Sequence, residues 1–387
     1  MRKILFFPHT FSAGGGAERV LNTLINELVK WYDIDVIERW EYSTYIYDLP
    51  ENARRLKSMT YSPQMVKEKG WSELYWMFHR KMLSVLMFFF PSLIYRYYIK
   101  GKYDYEISFN YQFPSLIIGY SPNRESKKIM WVHTDIYNID YLHVPFKNKL
   151  IAYIKYSIQK RAFKKADKIV AISNNTYQSI IDLFPFTQNK LCIIYNGYDF
   201  DNFKFKAKEF KIEQSERFRL LFMGRLEKRK NVITAVKAVN HLLNKSVLDI
   251  ELIILGDGEC RKEAEREAKK HPDHFQFLGF QSNPYPYVKS SNALLVTSIT
   301  EGFPTIIIES ISLGVPVITT RVGGVDEIIV EGVNGMVVEN DIEDIADKIY
   351  YMKKNQSQFL NNIEDTIKNY SAHNWGENVK KNLDSFE

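Results

Sequence analysis

Short apolar runs alternate along the chain with longer stretches in which apolar positions return every three or four residues. The runs predict strands near 4–7, 35–38, 106–109, 129–132, 168–172 and 192–195. A second series follows near 219–223, 252–255, 276–278, 293–297, 315–319 and 335–338. Strand-like runs spaced by helical patterns are the mark of parallel α/β sheets. Two such series in 387 residues predict two doubly wound α/β domains. Their expected extents are 1–196 and 197–370, linked near 196–206, with a helix over 371–387 packing back toward the first domain.

Composition leaves this picture intact: 45% hydrophobic and 25% charged residues are ordinary for a globular chain, with an excess of Tyr and Phe. Charge adds an asymmetry. Residues 1–196 carry 27 Lys and Arg against 17 Asp and Glu, whereas the remainder carries 25 against 29. The only cysteines, Cys192 and Cys260, sit beside predicted strands, which argues against a disulfide framework or a zinc site and favours a reducing, cytoplasmic setting. The opening "MRKILFF" is cut short by Pro8 and a polar glycine loop, so it reads as a first strand and not as a leader. The apolar stretch 82–99 is interrupted by Pro91 and Arg96 and falls short of the ~20 apolar residues that a membrane span needs.

In doubly wound sheets, ligands bind beyond the carboxyl ends of strands, so the loops that follow strands hold the candidate chemistry. After the first strand comes "SAGGGAERV", which lacks the third glycine of a GxGxxG pattern and fits either a ligand cradle or a tight strand-to-helix turn. The second domain opens with "LLFMGRLEKRKN", where Arg225, Lys228, Arg229 and Lys230 follow a strand. Such a cluster suits a diphosphate, or is a solvated basic turn. "ILGDGE" adds a glycine turn. In "TEGFPTIIIES", Glu301 lies at a strand's carboxyl end, Pro304 is expected as the first helical residue, and Glu309 lies inside a helix too apolar to be exposed all round. A buried carboxylate needs a hydrogen-bonding partner, and sugar hydroxyls are such partners.

Taken together, "GGGAERV", "WVHTD", "ADKIVAISNNT", "IYNGYD", "GRLEKRKN", "LGDGE", "FLGF" and the E-x7-E pair of "EGFPTIIIE" make the chain resemble the family 4 glycosyltransferases. That resemblance implies the GT-B fold, two Rossmann-like domains facing each other across a cleft. It implies a retaining, metal-independent transfer from a nucleoside diphosphate sugar, a UDP-sugar foremost, with no further cofactor. The acceptor implied is a polyprenyl-diphosphate-linked glycan of surface or capsular polysaccharide synthesis. By motif, Arg225 and Lys230 would bind the donor diphosphate and Glu309 its ribose. Glu301 and the backbone of Gly302 and Phe303 would hold the transferred sugar, Thr305 would bind the donor, and the backbone of Gly279 and Phe280 would contact the base. Gly15 and Gly16 would lie against the diphosphate, and His133 beside the reacting sugar. Pro304 stands where many relatives have glycine, which removes one amide donor.

Other readings are a GT-B sugar-nucleotide epimerase and a catalytically silent sugar-nucleotide-binding subunit. The Asp-x-Asp pair Asp33 and Asp35 would serve a metal-dependent transferase, but is expected to precede a strand instead of following one. His133 could also be a structural histidine hydrogen-bonded at a strand end. No nucleic-acid module accompanies the basic charge. Aromatic and basic residues interleave over 71–102 and 147–168, the latter with Lys160, Arg161, Lys164 and Lys165, and predict a protein held peripherally on anionic lipid at the inner face of the cell membrane.

Overall fold

The computed structural model describes residues 1–387 apart from 14, 15, 44–47, 144, 302, 360, 362, 386 and 387. The chain divides into one unit of Met1–Tyr198 with Ala372–Glu387, and a second of Asp199–Ser371.

The first unit holds β1 (Arg2–Phe7), β2 (Tyr32–Val36), β3 (Trp40–Glu41), β4 (Ala53–Arg55), β5 (Thr60–Tyr61), β6 (Tyr105–Ser108), β7 (Lys127–Val132), β8 (Lys168–Ala171) and β9 (Leu191–Ile193). Its main sheet runs β4-β2-β1-β6-β7-β8-β9, parallel at every pairing. β3 and β5 form a separate parallel ribbon. The strand order reverses between β1 and β6, which places the loops after these two strands side by side. His9 N–H donates to Asn110 Oδ1 at 2.8 Å across that junction.

The second unit holds β10 (Phe218–Met223), β11 (Ile250–Leu255), β12 (Phe275–Gly279), β13 (Ala293–Val296), β14 (Val317–Thr320) and β15 (Gly335–Val338). They form one sheet in the order β12-β11-β10-β13-β14-β15, again wholly parallel. Every residue of β10 and β11 is buried, as expected where helices cover both faces. Here the order reverses between β10 and β13.

The twelve runs read from sequence all become strands, with ends moved by a few residues. β3, β4 and β5 lay outside that set because two or three residues, such as the Ala-Arg-Arg of β4, carry no apolar run. Two expectations are corrected. Asp33 and Asp35 lie within β2 and do not precede a strand. Asp35 is buried, paired with the Arg54 guanidinium and with Tyr103 Oη at 2.6 Å. Pro304 precedes the helix Thr305–Ser312 as its cap, one position earlier than expected.

The helix Ala372–Asp384 belongs to the first unit, where Trp375, Val379 and Leu383 are buried. The Trp131 and Trp375 rings meet edge to face with centroids 6.1 Å apart.

Candidate functional site

In the second unit, the loops after β10 and β13 meet at the strand-order reversal. Ile299 N–H donates to the Arg229 carbonyl at 2.8 Å, and Thr297 Oγ1 donates to the Asn231 carbonyl at 2.9 Å. Asn231 takes a left-handed conformation (φ 55°) as it enters the helix Val232–Asn244, which is less costly for Asn than for most residues. These bonds carry the end of the basic loop onto the segment that bears Glu301.

Glu301 is gripped from three directions. Lys230 Nζ donates to Oε1 at 2.5 Å, Ser298 Oγ to the same oxygen at 2.8 Å, and Arg229 Nη1 to Oε2 at 2.8 Å. Arg229 also reaches Glu227 at 2.9 Å. The Lys230 and Glu301 side chains are only 17% and 10% exposed, so solvent screens the pair weakly. Burial would push the Glu301 carboxyl up, but Lys230, Arg229 and Ser298 overturn that and hold it below its usual range. One carboxylate thus pre-positions two cations, while Arg225 is exposed and makes no ion pair among the described residues.

The glycine turn after β11 is built against this loop. A Cβ on Gly256 (φ +124°) would stand 1.9 Å from the Gly224 carbonyl oxygen, and one on Gly258 would stand 2.6 Å from that of Leu226. Gly256 N–H donates to the Gly279 carbonyl at 2.7 Å, so the ends of β10, β11 and β12 are tied in series. Next to Gly279, the Phe280 ring is 81% exposed.

Glu309 lies on the helix Thr305–Ser312 and is 2% exposed, among Ile307, Ile308 and Ile311, as its apolar surroundings in sequence imply. Phe303 is buried, with its ring 5.9 Å from that of Tyr370. Thr305 opens the helix and is partly exposed. Gly302 lies outside the described residues, as does Gly15.

In the first unit, Gly16 begins the helix Gly16–Leu28, and among the described residues beyond its chain neighbours and its own helix backbone nothing stands within 4 Å of where its Cβ would be. The loop before it is braced by Glu38, which accepts from Phe11 N–H at 2.6 Å, Ser12 N–H at 3.1 Å and Ser12 Oγ at 2.8 Å. Burial pushes this carboxyl up, against the bonds from Phe11 and Ser12 and the charge of Arg55.

His133 follows β7 directly. Its ring lies 4.1 Å from Phe109 and nearly parallel to Trp131 at 6.2 Å. The residue keeps part of its surface open, yet Nε2 is enclosed and has no hydrogen-bond partner among the described residues. Burial pushes the imidazole down to about 3, so it is neutral at pH 7. His9, on the loop after β1, is likewise lowered to about 3 by burial and by Arg39.

The structure therefore brings Lys230 and Glu301 together and sets Arg225 on the same loop. Sequence reasoning placed Arg229 in the basic cluster without pairing it to Glu301, and assigned no part to Ser298 or Glu38. Arg229 was visible only as one of three consecutive cations, and nothing near Glu38 in sequence marks its bond to a loop 26 residues earlier. Among the described residues, no group of three or more His, Cys, Asp or Glu side chains is arranged to hold a metal ion.

Two family models tile the chain: residues 14–202 match Glycosyltransferase Family 4, and residues 203–381 match Glycosyl transferases group 1. A Campylobacter jejuni N-acetylgalactosamine-N,N'-diacetylbacillosaminyl-diphospho-undecaprenol 4-alpha-N-acetylgalactosaminyltransferase is 30% identical over 200 residues, 51% of this chain and 53% of that protein. The capsular polysaccharide biosynthesis glycosyltransferase CapM of Staphylococcus aureus is 25% identical over 65% of this chain and 66% of its own. The chain thus spans about half to two thirds of the length of these curated relatives. Among solved structures, Anabaena Alr3699/HepE in complex with UDP and glucose superposes over 100% of both chains, with a TM-score of 0.69 at 15% identity.

Proposed function

This chain belongs to the glycosyltransferases of the GT-B fold, and from that footing we propose that it moves a hexosyl or N-acetylhexosaminyl residue from a nucleoside diphosphate sugar to a lipid-linked glycan. The donor is a UDP-sugar and the acceptor a polyprenyl-diphosphate-linked glycan of surface or capsular polysaccharide. The C. jejuni relative, whose name specifies a diphospho-undecaprenol acceptor, supports that choice, as do the capsular relative and the UDP held by the Anabaena protein.

The observation that carries the reading is the cluster of Lys230, Arg229, Ser298 and Glu301 where the sheet order reverses. Transfer breaks the bond between the anomeric carbon and the diphosphate oxygen, the acceptor hydroxyl's oxygen takes the vacated position with configuration retained, and its proton leaves with the diphosphate. Negative charge grows on the leaving diphosphate, and cations on this loop stabilise it, Lys230 being already held in place by Glu301. Arg225 and Lys230 supply that charge, which is why no metal is required. Glu309 accepts from the ribose, while the backbone of Gly279 and Phe280 meets the base. Glu301, with Phe303, orients the sugar, and Thr305 belongs to the donor site. His133 is neutral at pH 7, so its part is to offer a hydrogen bond to substrate without a competing charge.

Release of UDP from a panel of UDP-sugars, with and without a polyprenyl-diphosphate-linked acceptor, tests this reading. Release that depends on acceptor is expected. Conversion of the donor without acceptor would point to an epimerase, and binding without turnover to a silent subunit.

A further inference from the structure

The helix Glu73–Phe89 presents its apolar side outward. Leu74, Tyr75, Phe78, Met82, Val85 and Phe89 are 44% to 71% exposed, and steps of three and four residues between them draw one stripe along the helix. The opposite side is fixed in the first unit's core through Leu83 and Met87. The stripe continues onto the helix Pro91–Tyr98 at Leu93 and Tyr97, both exposed. A contiguous exposed apolar face of this kind calls for a partner.

Charge selects the partner. Between residues 73 and 102 the acidic residue is Glu73 alone, against Arg80, Lys81, Arg96, Lys100 and Lys102. A second copy seated on this face by two-fold symmetry would bring those cations toward one another, whereas an anionic bilayer would neutralise them. Trp71 and Trp76 cluster with Tyr61 at one end of the stripe, and Tyr97 is exposed beyond the other. Amphipathic aromatic rings of this type favour the level of lipid headgroups.

Geometry selects the depth. No single helix among the described residues is long and apolar enough to cross a membrane, and the pair Glu73–Phe89 and Pro91–Tyr98, which together pass on length and composition, bends by 117°. Seventeen residues rise roughly 25 Å against a hydrocarbon core of about 30 Å. With Leu83 and Met87 held in the core, the helix can only lie flat.

We propose that the outer face of Glu73–Phe89 and Pro91–Tyr98 is an interfacial anchor, lying in the plane of an anionic bilayer with its apolar stripe in the headgroup boundary. The cationic set expected from sequence is corrected at one position. Arg161 turns inward, donating to the Phe88 carbonyl at 2.7 Å and lying over the Phe88 and Tyr120 rings. Lys81, Arg96, Lys100 and Lys102 are the exposed cations of this segment.

Flotation of the full chain with vesicles of phosphatidylcholine, alone or mixed with phosphatidylglycerol, tests the anchor without any donor or acceptor, so its failure is separable from failure of the transferase reading. Binding is expected to the mixed vesicles only, weakening with salt, with a blue shift of tryptophan emission. Replacing Leu74, Phe78, Val85 and Phe89 by Ser should lower binding about tenfold or more, while circular dichroism and melting stay unchanged because these side chains are exposed. The milder pair Leu74→Ser with Phe78→Ser should give a smaller loss in the same direction. Lys81→Gln with Arg96→Gln and Lys100→Gln should remove the preference for anionic lipid. Absence of flotation with mixed vesicles at low salt overturns the proposal. Undiminished flotation of the serine variants does so too, as does a lipid-free dimer that those variants convert to monomer.

Discussion

The function proposed turns on a few charged side chains whose contacts make them unequal. Lys230 is fixed to Glu301, whereas Arg225 on the same loop is exposed and makes no ion pair among the described residues. Both Arg225→Ala and Lys230→Ala should lower turnover by about 10²–10³ at saturating donor, the scale of one preorganised electrostatic contact. Steady-state kinetics with a fixed acceptor checks this, and near-native turnover in either variant removes that residue from the mechanism. A second consequence concerns pH. His9 and His133 are both held near 3 in the folded chain, against about 6.5 when unfolded. Between those values the unfolded state binds the protons, so stability falls as pH falls, by up to about 1.4 kcal/mol per histidine at pH 5.5. Urea midpoints at pH 7.5 and 5.5 should differ accordingly, and His133→Gln should lose its share of the difference; equal shifts in wild type and variant would refute the assignment.

At the level of elements, what was legible in sequence was what parallel sheets write plainly. Runs such as Leu-Leu-Phe-Met before Gly224 and Ile-Ile-Leu before Gly256 mark buried strands, and the loops after them are where ligands bind in such folds. Lys230 and Glu301 could each be picked out in this way. Their pairing could not, because 71 residues separate them and only the strand order brings β13 beside β10. The same holds for Glu38, whose work on Phe11 and Ser12 depends on β1 and β2 being neighbours. The glycine turn of "ILGDGE" was visible as a turn, but its reason is the carbonyl of Gly224 standing where a side chain would go. Gly256→Ala should therefore push the basic loop away or fail to seat, which adds to the strain of a positive φ that alanine tolerates poorly. A loss of about 1–3 kcal/mol together with weakened UDP binding is expected by thermal shift and calorimetry; unchanged stability and affinity would show that the two loops are not coupled.

On the scale of the whole molecule, the first unit is closed by the far end of the chain. Trp375 is 3% exposed, and the Gly197 backbone comes so close that a Cβ there would stand 2.4 Å from the Trp375 Cβ. Removing that ring should cost about 3–5 kcal/mol, as for a large buried side chain. All six tryptophans lie in the first unit, so fluorescence follows its unfolding selectively. The Trp375→Ala variant should shift that transition and leave the melting of the second unit in place, and a shift of both units together would contradict the division. The central claim is that these two units move a sugar onto a lipid carrier, and it is tested most directly by following the sugar. Labelled UDP-sugars are incubated with the chain, a polyprenyl-diphosphate-linked glycan and EDTA, and the lipid fraction is analysed by mass spectrometry. The account predicts an acceptor one sugar heavier, joined with the donor's anomeric configuration, in the presence of the chelator and not with Lys230→Ala. An acceptor left unchanged by every nucleotide sugar, or extended only when Mg²⁺ or Mn²⁺ is restored, would contradict it.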